Sequence, residues 1–179
     1  MSKAPIIVLS VGLFLTAGCI DRTSTPAPAP AGAKDPGPLS LKMLDGVSAT
    51  RMHIRVGGQD VEATVYPKDL GQSAFFLCYY TLPNPAEDTN ASEAAINAEI
   101  ERCVANVGAE ILSRKSSPAG GYPATEVVAT SARNRTHFIR YRVICTGKEI
   151  QTLTAVIPNN PDAAHTQALD NMFEQFHAK

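Results

Sequence analysis

The chain has 179 residues, 16 Lys+Arg against 17 Asp+Glu, 44% apolar residues, four cysteines and no tryptophan. That length suits one globular domain with an appendage, and is too short for two ordinary domains. Only 18% of residues are charged and the signs balance, which excludes a nucleic-acid-binding protein built around a basic face.

Met1-Ser2-Lys3 is followed by an apolar run from Ile6 to Leu15. About ten residues at 1.5 Å each reach about 15 Å, half of the roughly 30 Å hydrocarbon core. The run is therefore too short for a transmembrane anchor and has the length of a signal-peptide core. It ends Leu15-Thr16-Ala17-Gly18-Cys19, which resembles the lipobox of bacterial lipoproteins. Thr16 stands where that family usually carries Leu, Val or Ile. The resemblance implies residues 1–18 as a signal peptide cut between Gly18 and Cys19, and lipidation of the Cys19 thiol. Several acyl chains on one residue exceed the two-signal threshold for stable anchoring, so the membrane is the first expected partner. Ile20 occupies the place where an Asp would resemble the inner-membrane retention signal. The expected location is the cell envelope, at the outer membrane and facing the periplasm.

Residues 19–38 read as the lipid anchor and a disordered Pro/Ala-rich linker, with five prolines between Pro26 and Pro38. Such a stretch has little to bury and favours an extended polyproline path of about 3.1 Å per residue, reaching up to roughly 60 Å.

Residues 39–179 read as a single globular domain, long enough for its own core. Met52, Ile54 and Val56 alternate with His53 and Arg55, Gly57-Gly58 supplies a turn, and 61–66 continues as a second strand. The segment Ala74–Leu82 is apolar at nearly every position, which predicts a strand covered on both faces at the centre of the sheet. A helix follows, capped by Asn90 or Ser92, with Ile96, Ile100, Cys103, Val104 and Val107 on one stripe and Gly108 ending it. Glu93, Glu99, Glu101 and Arg102 are placed toward solvent. Strands are predicted near 110–114, 123–131, 137–145 and 149–157. Asn160-Pro161-Asp162 opens a last helix whose buried stripe is Leu169, Met172, Phe173 and Phe176. The short turns between the late strands argue for antiparallel pairing. The fold class is α+β, an antiparallel sheet covered by helices.

Residues 73–179 carry a further resemblance. Tyr79-Tyr80-Thr81-Leu82-Pro83, Gly108-Ala109-Glu110-Ile111-Leu112, Gly121-Tyr122-Pro123-Ala124-Thr125-Glu126, Arg140-Tyr141-Arg142-Val143, Leu153-Thr154-Ala155-Val156-Ile157-Pro158 and Phe173-Glu174-Gln175-Phe176 are similar to small bacterial domains with a PsbP-like fold. That fold also serves the extrinsic PsbP proteins and the Mog-type Ran-binding proteins. It implies an α/β/α sandwich and no catalytic residue, because the matching positions are core and turn positions.

With Cys19 lipidated, Cys78, Cys103 and Cys145 remain, an odd number for an oxidising compartment. Cys78 lies about 16 Å from its strand end, and Cys103 about 16 Å along the helix that doubles back. Equal heights favour a Cys78–Cys103 disulfide, with Cys103–Cys145 as rival and three buried thiols as the third state. His53, His137, His165 and His177 are scattered and no Cys-x-x-Cys exists, so no metal ligand set is assigned. His137 and Cys145 share a strand but stand roughly 26 Å apart, too far for a nucleophilic pair. No phosphate loop, dinucleotide fingerprint or nucleophile elbow is present, and no cofactor is expected. Arg133, Arg135, Arg140 and Arg142 concentrate positive charge. Arg140 and Arg142 share one strand face, either as a patch for anionic headgroups or an acidic partner, or as a solvated face paired with residues such as Glu149.

These features point to a non-enzymatic binding or accessory module, with another envelope protein or an anionic headgroup as partner. The alternative is a small envelope hydrolase whose polar groups converge only in three dimensions. A pocket holding two or three convergent polar groups with shifted pKa values would mark the enzyme, and a flat apolar or charged patch the binder.

Overall fold

The computed structural model describes residues 46–69, 73–131 and 137–176. The signal-peptide and linker expectations, including Gly18 and Cys19, fall outside these residues, as do Arg133, Arg135, His177 and the His165 side chain.

Among the described residues, seven strands and two helices follow in chain order: β1 (Thr50–Val56), β2 (Gln59–Asp69), β3 (Ala74–Thr81), α1 (Thr89–Val107), β4 (Ala109–Ser116), β5 (Ala124–Ser131), β6 (His137–Cys145), β7 (Glu149–Pro158) and α2 (Ala163–Gln175). They form one sheet in the order β1-β2-β3-β7-β6-β5-β4, with every neighbouring pair antiparallel. The α+β expectation is met.

Local chemistry sets the path. Gly57 and Gly58 both take positive φ, 57° and 83°, which closes the two-residue hairpin between β1 and β2 without a Cβ clash. After β3 the chain crosses the sheet through α1 and returns at the far edge as β4. The run β4 to β7 then folds back until β7 pairs with β3. That crossover corrects the expectation that Ala74–Leu82 is the centre: β7 holds the middle place and β3 lies beside it.

The two helices cover opposite faces. Side chains alternate along each strand, so Phe75, Leu77, Ile144, Leu153 and Ala155 face one way and pack against Leu169, Met172, Phe173 and Phe176 of the α2 segment. Tyr80, Val127, Ile139, Tyr141 and Ile150 face the other way, against Ile96 and Ile100 of α1. The predicted stripe of the last helix is buried throughout, Phe173 and Phe176 at 0% exposure.

Two helix boundaries differ from the sequence reading. Asp88 caps α1, its side chain accepting from the Ala91 N–H at 2.7 Å. Asp88 outcompetes Asn90 and Ser92 because it stands where the chain leaves β geometry, with its carboxylate at the positive helix end. Ser92 is instead buried inside the helix. Gly108 ends α1 in the left-handed conformation, as expected, its N–H reaching the carbonyls of Val104 and Ala105. The last helix begins at Ala163, after Asn160-Pro161-Asp162 rather than within it. At the β4 edge a bulge between Ile111 and Ser113 leaves Leu112 52% exposed.

Candidate functional site

Polar groups converge in two places, one under each helix. The α1 cluster is built around Glu99, whose side chain has 0% exposure. Residues 99, 102 and 103 lie within one helical turn and share a flank of α1. Arg102 donates from Nε to Oε2 at 2.8 Å and from Nη2 to Oε1 at 2.7 Å. The Cys103 thiol donates to Oε1 at 3.3 Å. The sheet supplies the rest: the Tyr80 hydroxyl of β3 donates to Oε2 at 2.9 Å, and the Thr152 hydroxyl of β7 to Oε1 at 3.1 Å. Burying a carboxylate costs several kcal/mol unless charge and hydrogen bonds offset it, and these five bonds do so.

The solvent-facing placement of Glu99 is thereby corrected. Positions 96, 99 and 103 follow steps of three and four, so Glu99 lies on the same stripe as Ile96 and Cys103. Spacing alone carried that signal. What concealed it was residue type, because only Tyr80 and Thr152, distant in sequence, make a buried carboxylate tolerable.

The cluster holds its titratable groups in fixed states. Burial first, then the negative charge of Glu99, pushes the Cys78 thiol up to about 12 and the Cys103 thiol well above its ordinary value. Burial, the Glu99 charge and the bond to it push the Tyr80 hydroxyl up. Burial and then the neighbouring Cys103 do the same to Tyr141, whose hydroxyl has no hydrogen-bond partner. Burial works to lower the Arg102 guanidinium, but the bonds and charge of Glu99 win and hold it above its usual range. Thiols and phenols stay protonated beside a fixed ion pair, a state that disfavours nucleophilic chemistry.

The second cluster contains Arg140 and Arg142, which do share a face, opposite Ile139, Tyr141 and Val143. That face is the one α2 covers. Arg142 is 6% exposed. It donates to the Phe173 carbonyl in the last turns of α2 and to the Ser117 hydroxyl at 3.1 Å, and its Nε stands 3.8 Å from Glu126. Burial lowers its pKa, Glu126 opposing and Arg140 reinforcing that shift. Arg140 pairs with Asp170 at 2.5 Å and Glu126 at 3.4 Å, and its guanidinium lies 4.3 Å from the Phe173 ring centroid. Both guanidiniums are committed to internal partners, which corrects the reading of Arg140 and Arg142 as an anion patch. The acids involved are Glu126 and Asp170. Glu149 faces Thr81 at the far end of β7.

Cys78, Cys103 and Cys145, the cysteines among the described residues, are free thiols. Cys78 faces α1 and stands opposite Thr152 in the β3–β7 register, and it packs against the same core cluster as Cys103. Cys145 is fully buried opposite Ile150 at the end of β6, with His137 at the other end of that strand. Among the described residues no group of three or more His, Cys, Asp or Glu is arranged to hold a metal ion, and no helix is long and apolar enough to cross a membrane.

No family model matches the chain, and no curated protein does. A solved structure similar to it is that of PA94, a Pseudomonas aeruginosa protein of unknown function. It is 13% identical, with a TM-score of 0.44 over 72% of this chain and 97% of that one.

Proposed function

We propose that the chain is a lipid-anchored protein of the cell envelope, held at the outer membrane and facing the periplasm by acyl chains on Cys19. Its α+β domain, of the PsbP-like kind, serves as a non-enzymatic binding or accessory module for another envelope protein. The observation that carries this reading is Ala17-Gly18-Cys19 at the end of a short apolar core, followed after six intervening residues by the proline-rich stretch 26–38. A peptidase needs small residues before the cut, the thiol accepts the lipid, and the linker gives the domain reach.

The interior polar groups support the non-enzymatic half of the reading. The Glu99 carboxylate is already occupied by five donors. The thiols beside it are held protonated. A nucleophile needs the opposite, a depressed pKa or an adjacent free base. The arginines pair with carboxylates inside the fold, which favours a protein partner over an anionic headgroup.

Crosslinking in intact cells, followed by identification of what is captured, tests the reading. A single dedicated envelope protein is the expected product. Recovery of only neighbouring lipids and abundant porins contradicts it.

A further inference from the structure

We propose that Cys78 and Cys103 form a dithiol–disulfide site that clamps the flank of α1 to strand β3. The geometry runs from Cys103 through one carboxylate oxygen to the register neighbour of Cys78. Glu99 Oε1 accepts from Cys103 Sγ at 3.3 Å and from Thr152 Oγ1 at 3.1 Å. Thr152 is the register partner of Cys78, and facing residues of an antiparallel pair have Cβ atoms about 4.5–5.5 Å apart. Both thiols therefore border the same carboxylate from opposite elements, and a disulfide needs Cβ atoms about 3.5–4.5 Å apart.

Closing the bond takes Cys103 off Glu99 Oε1 and leaves the carboxylate with Arg102, Tyr80 and Thr152. The ion pair survives oxidation, so the clamp can close without unpairing a buried charge. Cys145 is not a competitor. Its register partner is Ile150, whereas that of Cys78 is Thr152, the residue bonded to Glu99.

The reaction is thiol–disulfide exchange with a disulfide oxidant. One of the two cysteines loses its proton and attacks the oxidant, giving a mixed disulfide and releasing the first reduced thiol. The other cysteine then attacks the mixed disulfide, the Cys78–Cys103 bond forms, and the second reduced thiol leaves. The two cysteines lose two electrons and two protons, and the oxidant's disulfide gains both. Because the thiols are only partly exposed and are held protonated in the folded state, exchange runs through local opening of α1. The site rests on the envelope reading only for its supply of oxidant in the cell.

The test supplies the oxidant directly. Full-length protein is incubated with oxidised glutathione, quenched with acid, alkylated and cut with trypsin without reductant. Cleavage after Lys68, Arg102 and Arg114 places Cys78 and Cys103 on separate peptides, 69–102 and 103–114. A linked pair of these peptides that separates on reduction is expected, with a rise in melting temperature on the order of 10 °C for a loop of this length. Both peptides recovered alkylated, or 103–114 linked to the Cys145 peptide, overturns the site. Cys103→Ser keeps a hydroxyl donor for Glu99, folds like the reduced protein and loses the oxidant-dependent rise. A rise that persists in Cys103→Ser also overturns it. A protein found unanchored in cell fractionation refutes the envelope reading alone.

Discussion

Replacing Glu99 by alanine tests the packing of α1 most sharply. The substitution deletes the acceptor of five bonds: two from Arg102 and one each from Tyr80, Cys103 and Thr152. Tyr80 is 3% exposed and Thr152 1%, so neither hydroxyl can turn to water. Each buried group left unpaired costs about 1–3 kcal/mol. Arg102 retains 24% side-chain exposure and can swing outward, which removes most of the charge penalty that a fully buried partner would suffer. The expected loss is therefore about 3–5 kcal/mol, a large part of the 5–15 kcal/mol that a domain has. Urea unfolding followed by far-UV circular dichroism measures it. Glu101→Ala, two residues on and exposed, is the control and is expected within about 0.5 kcal/mol of the parent. A Glu99→Ala loss no larger than the control's would refute the claim that this carboxylate organises the α1 face.

The thiols give a pH prediction. Cys78 titrates near 9 when unfolded and near 12 when folded. The folded state keeps a proton that the unfolded state loses, so stability falls as pH rises from 9 toward 12, and Cys78→Ala shallows that fall in pH-dependent melts. At pH 8, the native Cys78 thiol reacts about 10³-fold more slowly with iodoacetamide than in urea, as its smaller thiolate fraction requires; equal rates would contradict that upward shift. Arg142→Ala removes the donor to Phe173 and Ser117 and the partner of Glu126, an expected loss of about 2–4 kcal/mol by thermal or urea melts. Arg140→Gln, whose pairs are partly exposed, costs about 1 kcal/mol. It leaves sedimentation of the unlipidated domain with anionic vesicles unchanged, since Arg140 is spent on Asp170 and Glu126.

Most of the fold could be read from period and punctuation. Alternation marked β1, the apolar run marked β3, Gly57-Gly58 marked the hairpin, and Leu169, Met172, Phe173 and Phe176 marked the buried side of α2. These signals are local, because each side chain reports its own environment. The place of β7 was not local: it follows from α1 carrying the chain to the far edge before the strands fold back. The two clusters were hidden for the same reason. Glu99 looks like a surface residue until Tyr80 and Thr152 arrive from β3 and β7. Arg142 looks like a solvated strand residue until α2, more than twenty residues later, lays Phe173 over it. Charge at a core position is readable only once its partners are placed, and those partners are long-range. Comparing rise along a strand with rise along a helix brought Cys78 and Cys103 to the same height, and the structure holds both as free thiols.

The central claim is the anchor, and one measurement addresses it directly. Cells expressing the parent chain or Cys19→Ser are grown with radiolabelled palmitate, fractionated, and the protein followed into membrane and soluble fractions. The parent is expected in the membrane fraction with label, and Cys19→Ser in the soluble fraction without it. A Cys19→Ser protein that remains membrane-bound, or a parent that takes up no label, contradicts the account.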